Sequence, residues 1–209
     1  MDKNKKWIDY IIELQSLAQA GLTYGKDVYD QERYERIRQL SAMMMADISN
    51  KPVKQVEGLF CNEVGYQTPK IDTRAAIFKE DKILLVQEKN GTWSLPGGWC
   101  DVNVSVMENT IKEVKEEAGL DVVVKNVIAI QDREKHNQPI YAYKVCKIFM
   151  LCEVEGGVFK ENSETIGFDY FTKDNLPILA TEKNNEEQRA SGNWCSFFIS
   201  IVSGRHLIC

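Results

Sequence analysis

Apolar positions in the first 50 residues recur at helical intervals. From Trp7 to about Leu22 they are spaced three and four residues apart, as an amphipathic helix requires. A second series runs from Tyr34 to Ile48, after capping residues at 27–30 and before Ser49-Asn50-Lys51-Pro52. Neither helix buries its apolar stripe alone. The pattern therefore predicts a helical domain over residues 1–62 that packs on the following domain, on a second subunit, or on both.

The apolar pattern becomes strand-like beyond residue 66, and we interpret residues 53–66 as a linker without a strong period. Ser105 and Glu108 form a capping-box pattern that predicts a helix from about Val106 to Gly119. The predicted strands, one of them very short, are Ile71–Phe78, Lys82–Val86, Thr92–Leu95, Val122–Ile130, Tyr141–Val154 and Gly167–Phe171.

These elements predict an α/β fold with a mixed sheet over residues 67–209, because a hairpin precedes the central helix and further strands follow it. A polar closing helix is predicted at Lys183–Arg189. The apolar stretch Trp194–Cys209 stays unassigned between a strand that packs on the core and a segment of divergent sequence.

Composition narrows the class of protein. A chain of 209 residues with 44% hydrophobic and 27% charged residues suits one generous domain or one domain with a small appendage. No stretch approaches the roughly 18 apolar residues of a membrane span, and no secretory signal is evident, so we expect a cytoplasmic protein. The net charge of −5 argues against an extensive nucleic-acid interface.

Cysteine and histidine are too scattered to indicate a zinc site. The six cysteines include no Cys-x-x-Cys pair, and there are two histidines. Buried, reduced thiols are therefore expected rather than disulfides.

The chemistry concentrates in a glycine turn, Pro96-Gly97-Gly98, and the helix that follows it. On a helix that advances about 100° per residue, Glu113, Glu116 and Glu117 fall within roughly 60° of one another. Like charges this close repel, which a bound cation relieves, and hard carboxylate oxygens suit Mg²⁺ or Mn²⁺. The alternative, taken from these residues alone, is a merely solvated acidic helix face.

Residues 98–120 resemble the signature of the Nudix hydrolases: Gly, five residues, Glu, seven residues, then Arg-Glu-U-x-Glu-Glu-x-Gly-U, where U is aliphatic. Here the signature begins at Gly98, while the first Glu position carries Val104 and the Arg position carries Lys112. If that Glu and Arg brace the loop against the helix, losing the acid removes the reason to keep a guanidinium. Val104→Glu is then expected to raise activity or thermal stability.

The resemblance implies an α/β/α sandwich with a mixed sheet, preceded by the small helical domain. It also implies divalent-metal-dependent hydrolysis of a nucleoside diphosphate linked to a second moiety, X, with activity reduced by Val104. The catalytic residues would be Glu113, Glu116 and Glu117, and the metal ligands would be these three with the carbonyl of Gly97. The residues expected to contact substrate are Arg74, Arg133, Lys135, His136 and Glu164. Residues 131–139 lie between two predicted strands, where we expect a binding loop to project.

Residues 17–35 and 131–139 are similar to a bacterial group of these hydrolases in which a helical domain precedes the Nudix domain. That group includes enzymes acting on CDP-choline and ADP-ribose, and its helical hairpin supports dimerisation, so a homodimer is expected here. Two alternatives stay open: a weakened domain that senses a nucleotide ligand, and a hydrolase that processes RNA ends.

Overall fold

The computed structural model describes residues 3–137, 141, 143–172, 174–180, 183 and 207–208. By its internal contacts the chain divides into a unit that runs to Pro69 and a unit that begins at Lys70, with the segment ending at Lys144 joined to the first. Among the described helices, none is both long enough and apolar enough to cross a membrane.

The first unit is helical, as predicted. Its first two helices are α1 (Lys3–Tyr24) and α2 (Val28–Ser49). The Asp27 side chain caps α2 by accepting hydrogen bonds from the amides of Tyr29 and Asp30. Asn50 ends the helix in the left-handed conformation at φ 54°. The local capping chemistry that predicted this hairpin is therefore present at both ends of α2.

The predicted linker at residues 53–66 is wrong in its first half, because Val53–Phe60 forms a third helix, α3. Val56 and Phe60 are buried in one cluster with Ile11 of α1 and Met45 of α2. With eight residues, α3 shows too few repeats of its apolar pattern to be recognised from sequence. Its burial against the other two helices supplies the stability that its length does not.

The second unit is built on a mixed sheet, which confirms the predicted fold class. Its strands are β1 (Lys70–Lys79), β2 (Lys82–Glu88), β3 (Trp93–Ser94), β4 (Leu120–Asp132), β5 (Val145–Gly157), β6 (Thr165–Thr172) and β7 (Leu207–Ile208). The described strands lie in the order β3-β2-β1-β5-β4-β7, and β6 also pairs with β2. The β1–β5 and β4–β7 pairs are parallel and the others are antiparallel.

One helix, α4 (Val106–Ala118), packs on one face of this sheet. Its Val114 and Ala118 are buried with Ala75, Ile77 and Met150 of the sheet. The opposite face carries a second apolar cluster that includes Ala76, Leu85, Leu95, Phe149 and Leu179. Alternation along the strands places their side chains in these two cores, so α4 is fixed against the sheet by apolar burial.

Both ends of α4 lie where the sequence predicted them. Ser105 Oγ accepts from the Glu108 amide at 3.2 Å, and the Glu108 carboxylate accepts from the Ser105 amide at 2.8 Å, completing the capping box. Gly119 ends the helix with a left-handed φ of 69°, which a side chain would disfavour.

Two predictions around residues 131–144 are wrong. The strand predicted from Tyr141 begins at Val145, because the pairing of β5 with β1 starts there and its pairing with β4 reaches no earlier than Cys146. Of the projecting loop predicted at 131–139, the described residues 131–137 instead form the end of β4 and a short helix, α5 (Arg133–His136), with its cap.

The carboxyl-terminal predictions fall largely outside the described residues. Of the predicted helix Lys183–Arg189, only Lys183 is described, and of the stretch Trp194–Cys209, only β7. This strand pairs in parallel with β4, at Ala129 and Ile130.

Candidate active site

The glycine turn lies along β1, on a side where no strand of the described residues pairs with this part of β1. Because β6 pairs with β2 along its whole length, β1 and β3 share the other edge of β2 and meet it only at opposite ends. In the space between them, the amides of Thr73 and Ala75 donate to the carbonyls of Gly98 (2.8 Å) and Pro96 (2.9 Å). The turn thus takes the place of a strand and satisfies the backbone of β1.

Glycine is required at the first position of the turn, and at the second it leaves room for the Glu113 carboxylate. Gly97 has a φ of 143°, and a Cβ there would collide with the Thr73 carbonyl. A Cβ at Gly98 would lie 2.6 Å from the Glu113 Oε2 atom. The absence of side chains therefore allows α4 to bring its carboxylates against the backbone of the turn.

Glu117 is the most deeply buried of the three acids, with 5% of its surface exposed. Its Oε2 atom accepts a hydrogen bond of 2.8 Å from the Gly97 amide. Burial raises the pKa of the Glu117 carboxyl to about 7, although the Gly97 amide and the Arg74 and Lys183 cations oppose the increase. A charge this poorly solvated is stabilised by any further cation that reaches it.

The acids of α4 range from buried to open. Burial also raises the pKa of the Glu113 carboxyl, against the opposing effect of Lys112, and the Glu113 side chain is 12% exposed. The Glu116 side chain is 60% exposed. The helix thus presents one buried and one partly buried carboxylate beside the glycine turn, and a third that faces solvent.

Lys112 links the loop to the helix through Asp101. Its Nζ atom lies 2.7 Å from Asp101 Oδ2, 3.4 Å from Glu113 Oε1 and 3.9 Å from Glu116 Oε2. Lys112 thus has an acidic partner without a Glu at position 104, because Asp101 supplies a carboxylate three positions before Val104. These neighbours also raise the pKa of the Lys112 ammonium, Asp101 most of all.

Asp101 is itself held by a buried hydrogen-bond relay. Its amide donates to Asn109 Oδ1 at 3.2 Å, and Asn109 Nδ2 donates to Thr73 Oγ1 at 3.0 Å. Asn109 and Thr73 are fully buried. Sequence reasoning missed Asp101 and Asn109 because the signature has its acid at position 104 and not at 101. The available signal for Asp101 was an acid that shortly precedes a helix with a lysine, Lys112, able to pair with it.

The donor chemistry at this site fits a hard divalent cation. Across the parts of the chain that the structure describes, no three His, Cys, Asp or Glu side chains are arranged to hold a metal ion. Glu117 is engaged by the Gly97 amide, and Lys112 lies beside Glu113 and Glu116. Three carboxylates on the same helix face, one buried, one partly buried and one exposed, nevertheless offer the oxygen ligands that Mg²⁺ and Mn²⁺ prefer.

Arg74, predicted to contact substrate, is buried beside the site. It binds Asp72 through two hydrogen bonds of 2.8 and 3.1 Å and donates to the Leu95 carbonyl at 3.1 Å. Its guanidinium thus ties β1 to the chain leading into the glycine turn, and its charge acts on Glu117. A direct substrate contact by Arg74 stays a prediction.

The other predicted substrate contacts lie at two places. Arg133, Lys135 and His136 lie together on α5, where Arg133 is buried and Lys135 pairs with Asp132 at 2.9 Å. Glu164 is exposed, in the turn before β6, and its amide donates to Asn162 Oδ1 at 2.9 Å. The structure thus groups the α5 residues, while Glu164 belongs to the separate turn described below.

Sequence reasoning also missed Lys147, a lysine in the middle of β5 that is 1% exposed. Its Nζ atom donates to Asn137 Oδ1 at 2.9 Å and to the Lys183 carbonyl at 2.6 Å. Burial lowers the pKa of Lys147 to about 7, and the Arg74 and Arg133 cations lower it further. The signal was a single lysine in the apolar run Val-Cys-Lys-Ile-Phe.

The four cysteines among the described residues, Cys61, Cys100, Cys146 and Cys152, are free thiols. Cys61 and Cys152 are buried, as expected, whereas Cys100 and Cys146 are partly exposed.

Comparison with known protein families divides the chain as its contacts do. Residues 5–60 match a UDP-X-like N-terminal oligomerisation domain, and residues 68–195 match the NUDIX domain. The second match covers the glycine turn, α4 and the acids described above. The resemblance drawn from residues 98–120 is thereby confirmed.

Individual relatives agree with this division. The Bacillus subtilis (strain 168) protein YjhB, named provisionally as an ADP-ribose pyrophosphatase, is 44% identical over 88% of each chain. A Streptococcus suis 89-1591 structure named as an ADP-ribose pyrophosphatase is 52% identical, with a TM-score of 0.58 over 68% of this chain and 98% of that one. A structure named UDP-X diphosphatase is 29% identical, with a TM-score of 0.61 over 99% of both chains.

Nudix hydrolases generally use divalent metal ions, which agrees with the carboxylates gathered on α4. The matched domains, the full-length relative and the site geometry lead to the same assignment. The chain belongs to the Nudix family and is a hydrolase, with a helical region of the UDP-X-like oligomerisation type preceding its Nudix domain.

Proposed function

We propose that this protein hydrolyses the diphosphate bond of a nucleoside diphosphate linked to a second moiety X, giving a nucleoside monophosphate and phosphorylated X. The observation that carries the proposal is a pair of carboxylates, the buried Glu117 and the partly buried Glu113, held against the Gly97-Gly98 turn. ADP-ribose is the first substrate to test, because two of the relatives carry that name. CDP-choline and UDP-linked compounds follow.

The proposed metal ligands are Glu113, Glu116, Glu117 and the carbonyl of Gly97. A bound Mg²⁺, or Mn²⁺ in its place, would neutralise the diphosphate and lower the pKa of a water molecule. Glu117 is positioned by the Gly97 amide, and Asp101 positions Lys112 beside Glu113. Glu116, the exposed acid, is suited to orient the attacking water or accept its proton.

In the reaction, the oxygen of water forms a bond to one phosphorus, and the bond from that phosphorus to the bridging oxygen breaks. The bridging oxygen leaves with the other phosphate, and the proton of water passes to a base. Little covalent chemistry is asked of the protein, so positioning and charge stabilisation supply most of the rate enhancement.

Substrate contacts are proposed for Arg74, Arg133, Lys135, His136 and Glu164. The α5 residues carry the stronger case, because Arg133, Lys135 and His136 lie close together and cations suit phosphate oxygens. Arg74 acts on the charge of Glu117 and has three of its donors engaged by Asp72 and Leu95.

The decisive experiment incubates the protein with ADP-ribose, CDP-choline and UDP-linked substrates, with Mg²⁺ or Mn²⁺, beside Glu117→Gln. We expect wild-type turnover and a loss of about 10³-fold in the variant, since one ligand to the charged centre is removed. Glu153→Gln, an exposed acid of β5, is the matched control and should keep wild-type activity.

Equal silence of the wild type and Glu117→Gln across this panel would refute the proposed reaction. If calorimetry then showed tight binding of a nucleotide without product, the protein would be a ligand sensor instead. Salt-dependent binding of RNA with turnover of its 5′ end would indicate an RNA-end hydrolase.

We further propose that the protein is a homodimer, with residues 1–62 as the dimerisation domain and residues 67–209 as the hydrolase domain. The match of residues 5–60 to an oligomerisation domain supports this arrangement. Helix α1 carries a second apolar stripe, next to its buried one, that is exposed in the single chain. The exposed stripe consists of Trp7, Tyr10, Leu14, Leu17 and Tyr24, spaced mainly by three and four residues.

A further inference from the structure

The turn before β6, residues 162–165, is ordered by one asparagine. Asn162 Oδ1 accepts from the amides of Glu164 and Thr165, both at 2.9 Å. Its Nδ2 group donates to Thr165 Oγ1 at 2.8 Å. We call residues 162–165 the Asn162 turn. Its internal hydrogen bonds fix both Asn162 and Thr165 in place.

The Asn162 turn binds the end of α4. Asn162 Nδ2 donates to the Glu116 carbonyl at 2.8 Å, and Thr165 Oγ1 donates to the Glu117 carbonyl at 2.6 Å. The last carbonyls of a helix have no partner within the helix, so they depend on such donors. Glu116 and Glu117, two of the proposed metal ligands, are therefore the residues whose backbone the turn holds.

The surrounding contacts leave little freedom at this end of the helix. Thr165 is fully buried, and the Gly119 amide bonds to the Lys115 carbonyl at 3.1 Å. A Cβ added at Gly119 would lie 2.5 Å from the Val158 carbonyl oxygen, so the backbone at Val158 is already in close contact with the end of α4. Rotation of the last turn of α4 would require these bonds and contacts to break together.

We propose that Asn162 and Thr165 are positioning residues that set the orientation of Glu116 and Glu117 by holding their backbone carbonyls. This inference rests on the proposed function and adds two residues outside the signature to its machinery. The direction of a side chain follows from its backbone, so a small rotation of the last turn displaces both carboxylates. A misplacement of about 1 Å at a catalytic group costs up to about 100-fold in rate.

The test compares Thr165→Val, which removes the hydroxyl and keeps the shape, with Thr165→Ser, which keeps the hydroxyl. Mn²⁺ affinity is measured by electron paramagnetic resonance, and kcat and KM with the best substrate of the panel. We expect Thr165→Val to weaken Mn²⁺ binding and lower kcat by about 10- to 100-fold each, with KM changed little. Thr165→Ser keeps the hydroxyl that binds the Glu117 carbonyl, so it should stay within about threefold of wild type in both measurements. The losses in Thr165→Val are of the size seen when a metal ligand loses a residue that positions it.

Asn162→Ala, at a partly exposed position, repeats the test if Thr165→Val does not fold, and the same losses are expected. Thr172→Val, the same change at the other end of β6, is the matched control and should leave both measurements unchanged. All assays run below the lowest melting temperature of the set.

Wild-type Mn²⁺ affinity and kcat in Thr165→Val and Asn162→Ala, even with lowered melting temperatures, would overturn the inference and leave a merely structural role. Glu117→Gln separates this failure from that of the proposed function. If Glu117→Gln loses Mn²⁺ binding and turnover while the turn variants do not, only the inference fails. If the wild type itself neither binds Mn²⁺ nor turns over substrate, the proposed function fails.

Discussion

Asp101 and Lys112 show that an ion pair can persist when its expected acid is replaced. Lys112 is bound by Asp101 at 2.7 Å, so the lysine is paired even though position 104 carries a valine. We now expect Val104→Glu alone to change activity little, because the lysine is already paired. This replaces the expectation of a gain that the signature suggested.

Asp101→Asn tests this interpretation at the same residue scale. Removing the charge should lower kcat/KM about tenfold, as loss of an outer partner of a ligand does, because Lys112 then positions Glu113 less well. Adding Val104→Glu to Asp101→Asn should restore most of the lost activity by supplying the acid from the signature position. Steady-state kinetics of the single and double variants measure this, and a double variant no better than Asp101→Asn would contradict it.

The acids of the site could be predicted residue by residue, but their partners could not. Glu113, Glu116 and Glu117 share a helix face through a spacing that is visible in the sequence. Asp101 lies only 11 residues from Lys112. Asn162 and Thr165, by contrast, bind the last turn of α4 from 46 and 48 residues away. No local pattern encodes contacts of that range.

At the scale of single elements, β5 carries a charged residue that its burial disfavours. Lys147 connects the end of α5 to the chain at Lys183 through two hydrogen bonds, while Arg74 and Arg133 repel its charge. The unfolded chain keeps a proton on this lysine up to a pKa near 10.4, whereas the folded pKa is about 7. Between these values folding releases the proton, so this contribution to stability rises with pH.

Lys147→Met is expected to remove this pH dependence. Below pH 7 both states of the wild type are protonated and the cost of burying the charge is complete, at most about 5 kcal/mol. The stability of the wild type relative to Lys147→Met should therefore increase from pH 7 to pH 10. Chemical denaturation at a series of pH values measures it, with Lys125→Met, at an exposed lysine of β4, as control. A constant difference across this range would contradict the prediction.

Long or well-capped elements were predictable, and short or mutually buried ones were not. Helices α1, α2 and α4 follow from apolar periods and caps that act within a few residues. Helix α3 and the start of β5 depend on partners elsewhere in the chain. Helix α3 depends on the burial of Val56 and Phe60, and β5 begins where its pairing with β1 and β4 begins. Tertiary contacts decide such boundaries.

At the scale of the whole molecule, the exposed stripe of α1 predicts the assembly. Leu17→Glu places a charge in the centre of the proposed interface, and burying an unpaired charge is costly. We expect the wild type to be a dimer and the variant a monomer by size-exclusion chromatography with light scattering. Ile178→Glu, the same kind of change at an exposed apolar residue of the other unit, should stay dimeric. A dimeric Leu17→Glu would place the interface elsewhere.

The gap between β1 and β3 has a consequence for how variants of this protein will behave. The backbone bonds from Thr73 and Ala75 to the glycine turn complete the sheet and at the same time build the site. Damage to the turn therefore cannot be confined to catalysis. Inactive variants at residues 96–98 should also be poorly folded ones, so a simple screen for soluble expression would detect them without any substrate.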